Sequence, residues 1–169
     1  MTSLASIDMP ASYMGPKGGG IFISHIEEDK TRFEVVNLAD NNLGTFAIYP
    51  LSVVLEDPLC TIHTLNLARN GLEEEGGMYI ARALRDNNVL TDLDLSENKL
   101  NDKVGAALAD AFRGRFEMGR KVADTHIKRI ILNNNPLLGS EACKGMFQGL
   151  ADGPTQHIEF VNCGAGPSS

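Results

Sequence analysis

The stretch Leu90-Thr91-Asp92-Leu93-Asp94-Leu95-Ser96-Glu97-Asn98-Lys99-Leu100 decides the fold of this chain. Leucine recurs at positions 90, 93, 95 and 100, with an asparagine at position 98. The same spacing of apolar residues precedes Asn41, Asn70 and Asn135, and a weaker version precedes Cys163. The five ladder positions are Asn41, Asn70, Asn98, Asn135 and Cys163, and successive ones lie 29, 28, 37 and 28 residues apart. Recurrence at this period predicts a solenoid, in which each repeat buries its apolar face against its neighbours.

Each repeat is predicted to contain a short strand, a turn at the asparagine and a helix. Apolar residues recur at helical spacing after the asparagine in the second and third repeats: Ile80, Ala81 and Leu84, then Leu108, Ala109 and Phe112. In the first repeat we expect Pro50 in the first helical turn, where its missing N–H is tolerated. The asparagine side chain can bond backbone groups of the neighbouring turn, which would otherwise be buried without partners.

The segment 90–100 resembles a leucine-rich repeat at full strength, and the period of 28–29 residues with a full helix resembles the ribonuclease-inhibitor-type subclass. The resemblance covers residues 33–165. It implies an α/β leucine-rich repeat solenoid, a right-handed β-α superhelix of about five repeats with a parallel concave sheet and convex helices. Ran GTPase-activating proteins, NOD-like receptor sensor domains and the actin-capping domain of tropomodulins share this subclass. The resemblance therefore specifies the fold and leaves the function open.

Three segments are predicted along the chain. Residues 1–20 end in a glycine-rich run and are interpreted as a flexible N-terminal tail. Residues 21–32 are predicted to form a hairpin that caps the first repeat. The leucine-rich repeat domain is expected over residues 33–169, with an insert at 113–121 that accounts for the longer third repeat. Little sequence follows Cys163, so either the fifth strand is itself the cap or, as we expect, another chain covers that sheet edge.

Composition narrows the class of function. A net charge of -7 argues against a nucleic-acid binder that relies on phosphate neutralisation. No apolar run approaches the ~20 residues of a membrane span. Three well-separated cysteines favour a reducing compartment, and we expect a cytoplasmic protein, with the cytoskeleton or cilium as narrower locations. The sequence contains no Cys-x-x-Cys pair, no metal-type spacing of histidines and no Ser/His/Asp arrangement. We therefore expect no cofactor, no metal and no enzymatic activity.

Candidate contact residues follow from the alternation of side chains along a strand, because residues between the ladder positions point out of the concave sheet. They are Asp92, Asp94 and Glu97 in the third repeat, Arg129 and Ile131 in the fourth, and Glu159 in the fifth. Ile131 is predicted to be exposed, either as an apolar anchor for a partner or as an ordinary surface residue without a role. The three carboxylates favour a solvated patch or a basic partner, and binding of a divalent cation is the alternative. Arg129 should lie close enough to neutralise them in part.

The insert provides a second candidate surface on an acidic protein. Its basic and apolar candidates are Arg113, Arg115, Phe116, Arg120 and Lys121. A loop that breaks a repeat period often has a binding role, so the insert is predicted to dock on an acidic protein surface. A tolerated insertion with solvated charges is the alternative.

These features predict a non-catalytic protein–protein interaction module. A structural or scaffold subunit of a cytoskeletal, axonemal or similar assembly is the favoured role. The alternative is a regulator of a small GTPase or another enzyme, by resemblance to Ran GTPase-activating proteins. An actin pointed-end cap like tropomodulin is a third and weaker option.

Overall fold

The computed structural model describes residues 6–29, 33–113, 115–117, 120–123, 126–151 and 154–164, with side-chain surroundings for all of these except 27–29 and 115–123. Within this part of the chain there are five helices: α1 (Gly15–Asp29), α2 (Gly44–Glu56), α3 (Glu73–Asp86), α4 (Asp102–Phe112) and α5 (Ser140–Ala151). The described strands are β1 (Ser6–Asp8), β2 (Val35–Asn37), β3 (Thr64–Asn66), β4 (Asp92–Asp94), β5 (Arg115–Glu117), β6 (Arg120–Ala123), β7 (Arg129–Ile131) and β8 (His157–Glu159).

Strand and helix alternate in the way the repeat pattern predicts. In the described part of the chain, β1, β2, β3, β4, β7 and β8 form one parallel sheet in that order. Each helix packs against the helix of the next repeat, from α1 through to α5. The ladder leucines of the third repeat, Leu90, Leu93, Leu95 and Leu100, are all buried in the core between sheet and helices. The predicted leucine-rich repeat solenoid is therefore confirmed.

The ladder asparagines (Asn41, Asn70, Asn98 and Asn135) are buried and join neighbouring repeats. Asn98 shows the arrangement: its Nδ2 donates to the carbonyls of Leu67 at 2.8 Å and Leu95 at 3.1 Å, and its Oδ1 accepts from the Asn70 amide at 2.9 Å. One amide therefore satisfies backbone groups on two turns that the leucine core keeps from water, as predicted.

The residue before each ladder position adopts a left-handed backbone conformation. These residues are Ala11, Asp40, Arg69, Glu97, Asn134 and Asn162, with φ between 49° and 58°. The backbone N–H of Glu97 donates to the Asn133 carbonyl of the next repeat at 2.9 Å, and the N–H of Arg69 donates to Ser96 at 3.0 Å. A left-handed conformation costs roughly 1–2 kcal/mol for a residue with a side chain, and these inter-repeat bonds offset that cost.

At the N-terminus the structure differs from the predicted flexible tail (1–20) and capping hairpin (21–32). β1 lies parallel to β2, and α1 takes in residues 15–20 of the predicted tail and residues 21–29 of the predicted hairpin. Ser12 lies 29 residues before Asn41, and its backbone N–H donates to the Asn41 Oδ1 at 2.9 Å. Residues 6–29 therefore form a further repeat, the N-terminal repeat, with serine at the ladder position.

Glycine in α1 has a packing role rather than a linker role. A Cβ on Gly19 would collide with the side chains of Leu43 and Ala47, and a Cβ on Gly20 would lie 2.9 Å from the Phe46 ring. These glycines therefore allow α1 to approach the next repeat closely. Glycine costs about 1 kcal/mol inside a helix, which makes the run resemble a linker when contacts are unknown.

The start of α2 also differs from the prediction. The helix begins at Gly44, so Pro50 lies inside it instead of in its first turn. Proline cannot donate to the carbonyl four residues earlier, which belongs to Phe46. The Phe46 carbonyl therefore loses this helical partner, on a residue that is 66% exposed.

Candidate functional site

The register of the sheet brings the predicted contact residues into two aligned columns. Residues paired across successive strands form the first column, Val35, Thr64, Asp92, Arg129 and His157, and the second column, Asn37, Asn66, Asp94, Ile131 and Glu159. Adjacent strands in a sheet lie ~4.8 Å apart, so each column presents its side chains as a continuous row. The column residues on β2 and β3 are neutral. Charge lies on Asp8 of β1, which pairs with Asn37 and accepts from its Nδ2 at 2.7 Å, and again from β4 onward.

The acidic cluster is engaged in local contacts. Asp94 Oδ1 accepts from the backbone N–H of Ser96 at 2.9 Å and from its hydroxyl at 2.6 Å, which holds the turn after β4. Asp92 Oδ2 accepts from the Thr91 hydroxyl at 2.7 Å. Arg69 donates to the Glu97 carboxylate at 3.1 Å in an ion pair. This hydrogen bond, and next the negative charge of Glu97, raise the pKa of the Arg69 guanidinium.

The predicted cation alternative gains no geometric support. Over the described residues, no group of three or more histidine, cysteine, aspartate or glutamate side chains is arranged to hold a metal ion. The three carboxylates instead lie on β4 and the turn that follows it, in the interior of the sheet, and each is bonded to a different neighbour. This arrangement is suited to meeting a partner's donors one at a time.

Charges on β7 and β8 are linked by Glu159. Its Oε1 contacts the His157 Nε2 at 2.5 Å, and its Oε2 accepts from the Asn133 amide at 2.7 Å. These hydrogen bonds, His157 first, lower the pKa of Glu159, with a smaller effect from the charge of Arg129. Arg129 lies beside Asp92 in the register, between the acidic cluster and Glu159.

Ile131 is not the exposed anchor that was predicted. Its side chain is only 8% exposed. In the sheet it lies between Asp94 on one side and Glu159 on the other. A residue in an inner strand of a curved sheet is flanked on both sides, and strand alternation alone does not reveal how far the neighbours cover it.

The insert is present as a separate hairpin. β5 and β6 pair antiparallel outside the main sheet, between α4 and β7. Arg113 is exposed at the end of α4 and forms an ion pair with Asp110 at 2.9 Å. The predicted contact side chains of Arg115, Phe116, Arg120 and Lys121 lie outside the described part of the structure, so the docking role of the insert stays a prediction.

A second surface on the helices was missed by the sequence reasoning. We call it the convex groove, a depression of about 850 Å³ lined by Gly20, Ile21, Ser24, His25, Thr45, Phe46, Tyr49, Pro50, Val53 and Tyr79. The rings of Tyr49 and Tyr79 pack edge to face with centroids 5.3 Å apart. Phe46 is 66% exposed and Ile21 63%. The signal in the sequence is α2 itself, in which Glu56 is the only charged residue.

The three cysteines are free thiols and are partly buried. Burial raises the pKa of Cys60, Cys143 and Cys163. Cys163 occupies the ladder position of the fifth repeat, where its Sγ donates to the Leu132 carbonyl at 3.0 Å. It also contacts the Cys143 thiol.

The sheet, the ladder asparagines and the packed helices define a leucine-rich repeat solenoid. A Leucine Rich repeat family model matches residues 59–81 and 86–109, which include the third repeat with Asn98. The chain is thus a leucine-rich repeat protein. Its assignment to the ribonuclease-inhibitor-type subclass stays a prediction. No helix in the described residues is long and apolar enough to cross a membrane.

Similar segments occur in a group of mammalian proteins. The chain is 37% identical over 90 residues to mouse NACHT, LRR and PYD domains-containing protein 4E, a match that covers 53% of this chain and 9% of that protein. It is 40% identical over 67 residues to human NACHT, LRR and PYD domains-containing protein 3, covering 40% of this chain and 6% of that protein. It is 36% identical over 78 residues to human NACHT, LRR and PYD domains-containing protein 14, a match that covers 46% of this chain and 7% of that protein. The matched segment is therefore less than a tenth of each of these relatives.

Proposed function

We propose that this protein is a non-catalytic protein–protein interaction module that binds its partner through the charged half of the concave sheet. The observation that carries the proposal is the register of β4, β7 and β8, which aligns Asp92 with Arg129 and His157, and Asp94 with Glu159. A sheet fixed by backbone hydrogen bonds presents these charges without a backbone ordering cost at binding, which favours affinity, and charge complementarity favours specificity.

The pattern of signs indicates the chemistry of the partner. Carboxylates from β4 and its turn lie at one side, Arg129 lies in the middle, and Glu159 follows on β8. We propose a partner surface with basic groups flanking an acidic one, because complementary charges set register and association rate. The neutral strands β2 and β3 supply contact area next to this row.

We also propose, more narrowly, a scaffold role in a larger assembly in the cytoplasm, with cytoskeletal or ciliary complexes as candidates. The three free thiols support a reducing compartment. The relatives are named as proteins that combine LRR with NACHT and PYD domains, which supports the idea that such repeat units work beside other domains. Size-exclusion analysis of native extract should place the protein in complexes well above its own 18.3 kDa.

A charge swap tests the concave surface. Asp92→Arg with Arg129→Asp keeps the net charge and the neighbouring pair but reverses the pattern that a partner meets. We expect loss of partner crosslinks at Lys99 and Lys128, the lysines that flank β4 and β7, in crosslinking mass spectrometry on native extract. The matched control swaps the exposed ion pair Glu141–Lys144 on α5, whose atoms lie 2.6 Å apart. Unchanged crosslinks in the concave swap, with the fold intact by circular dichroism, would exclude this face.

The insert is tested separately. We propose that it docks on an acidic surface of the partner, as its five basic and apolar candidates predict. Deletion of residues 114–121 should weaken capture of the partner found above and leave the concave crosslinks in place. Full retention of that partner at raised salt would sink the docking role.

The predicted alternative, a regulator of a small GTPase, is distinguished by activity. Purified protein added to a panel of small GTPases should leave the rate of GTP hydrolysis unchanged if the module only binds. Stimulated hydrolysis would favour the alternative.

A further inference from the structure

The outer face of α2 differs from the outer faces of the other core helices. Its exposed positions carry Phe46, Tyr49 and Val53, which are 66%, 57% and 36% exposed. The outer face of α5 carries a single large exposed apolar side chain, Phe147 (60% exposed), beside the Glu141–Lys144 ion pair. α4 carries Asp110 there, paired with Arg113 just after the helix end. Exposed apolar residues that adjoin one another mark an interaction surface more often than scattered ones do.

The apolar surface extends across three helices at one level. Ile21 on α1 and Met78 on α3 are exposed beside Tyr49. Met78 follows Tyr49 by 29 residues, and Tyr49 follows Gly20 by 29, so the three occupy the same position in successive repeats. Gly20 has no side chain, which leaves the depression of the convex groove next to the Phe46 ring.

This surface is complementary to itself. Phe46 lies three residues before Tyr49, and Val53 lies four after it. On α3, Glu75 lies three residues before Met78, and Arg82 lies four after it. Consider a two-fold axis that lies in the interface, perpendicular to the helices, at the level of Tyr49 and Met78. This axis sets Phe46 opposite Val53 of a second copy, and Glu75 opposite Arg82 of that copy. Because a two-fold interface repeats each contact, two equal ion pairs would flank one apolar centre.

The charged side chains at the rim of the convex groove, Arg82 and Glu75, make only weak local contacts. The Arg82 side chain is 75% exposed and meets Glu56 at 3.5 Å, a loose surface pair. Glu75 is exposed and accepts a 3.4 Å bond from the Tyr79 hydroxyl. Surface pairs of this kind contribute little, so exchanging them for partners across an interface carries a small cost.

We propose that the convex groove is the interface of a two-fold homodimer, with α2 antiparallel to α2 of the second copy and reciprocal Glu75–Arg82 ion pairs at its rim. The aromatic side chains of Phe46, Tyr49 and Tyr79 supply the buried centre, as large aromatic residues commonly do in interfaces. This surface is on the opposite side of the molecule from the concave face, so a dimer would leave the proposed partner surface open and present two copies of it.

Sedimentation equilibrium of the full chain over a wide concentration range tests the proposal. The wild-type protein should show a monomer–dimer equilibrium. Glu75→Arg and Arg82→Glu alone each place like charges at both rims and should raise the dimer Kd at least about tenfold. The double variant Glu75→Arg/Arg82→Glu restores opposite charges in reverse order and should return the Kd to within about threefold of wild type.

Controls separate this result from unfolding and from other occupants. Tyr49→Ser removes an exposed side chain, so it should abolish the dimer while the monomer keeps its circular dichroism spectrum. Lys144→Glu on α5 should leave the Kd unchanged. A wild-type protein that stays monomeric at every concentration would overturn the proposal and leave the groove to a different protein. A dimer that the double variant fails to restore would also overturn it.

Discussion

The four central repeats and the two terminal repeats use the same ladder position with different residues. Asparagine fills it in the centre, where the side chain is at most 1% exposed. Ser12 fills it in the N-terminal repeat and is exposed, and Cys163 fills it in the fifth repeat and is partly buried. The difference shows that the amide is required where a turn has repeats on both sides, since backbone groups of both must be satisfied away from water.

The largest effect should come from removing a central amide. Asn98→Ala deletes the donor to Leu67 and Leu95 and the acceptor of the Asn70 N–H, and leaves these buried groups without partners. We expect a loss of about 3–5 kcal/mol in the free energy of unfolding, measured by urea denaturation. Ser12→Ala should cost under about 0.5 kcal/mol, because the Ser12 hydroxyl makes an exposed bond to Met9. Equal losses at the two sites would break the contrast between centre and end.

Helix contacts should show the next largest difference. A Cβ on Gly105 would lie 2.5 Å from the Ala142 Cβ, which cannot move without its backbone. Gly105→Ala should therefore destabilise the protein by about 1–3 kcal/mol despite its better helix propensity. Gly19→Ala in the N-terminal repeat meets the flexible end of the Leu43 side chain first, so we expect a smaller loss. The unfolding temperatures of the two variants test this order of stability loss. A greater loss for Gly19→Ala than for Gly105→Ala would contradict it.

Converting a terminal ladder residue into a central one should stabilise the chain slightly. Cys163→Asn keeps a donor for the Leu132 carbonyl and gives the Asn135 backbone N–H an oxygen acceptor in place of sulfur. We expect a gain of about 0.5–1.5 kcal/mol in urea denaturation. Cys163→Ser, which shortens the reach of the side chain, is the matched control and should show no gain. A destabilised asparagine variant would mean that contact with the Cys143 thiol matters more than the ladder bonds.

The smallest effect concerns pH. The pKa of Glu159 is lowered by its bonds to His157 and Asn133, and the pKa of Glu74 is lowered by Lys103 and Asn101. The unfolded chain therefore binds more protons at these carboxyls than the folded one does, so their stabilising contribution is present above the ordinary glutamate pKa and is lost as pH falls through the lowered value. Wild type and Glu159→Gln should differ in urea midpoint at pH 6 and converge between about pH 5 and pH 3. A constant difference across that range would show that the bonds act without their charge.

The concave surface was largely predictable from the sequence. Strand alternation placed Asp92, Asp94, Arg129 and Glu159 in the columns that the register shows, because parallel strands of one repeat length stay aligned. The burial of Ile131 was not predictable, since it depends on the neighbours from β4 and β8. The contact between His157 and Glu159 also required coordinates, because it depends on side-chain conformation.

The convex surface was not found from the sequence, although its signal was present. An amphipathic helix in a solenoid should be polar outside, and α2 is apolar on its outer positions Phe46, Tyr49 and Val53. Pro50 obscured this signal, because it suggested a helix start in the middle of the helix. The depression itself arises only when α1 lies close to α2 at Gly19 and Gly20.

The sequence by itself determined the repeat, the parallel sheet and the inward ladder, because a fixed period and strict alternation leave one way to bury the leucines. The tertiary structure alone decided that residues 6–29 form a further repeat. Glycine and serine disfavour a helical repeat when judged locally. Contacts of Gly19 with Leu43 and of Ser12 with Asn41 reverse that preference, and both partners lie about one repeat away in the chain.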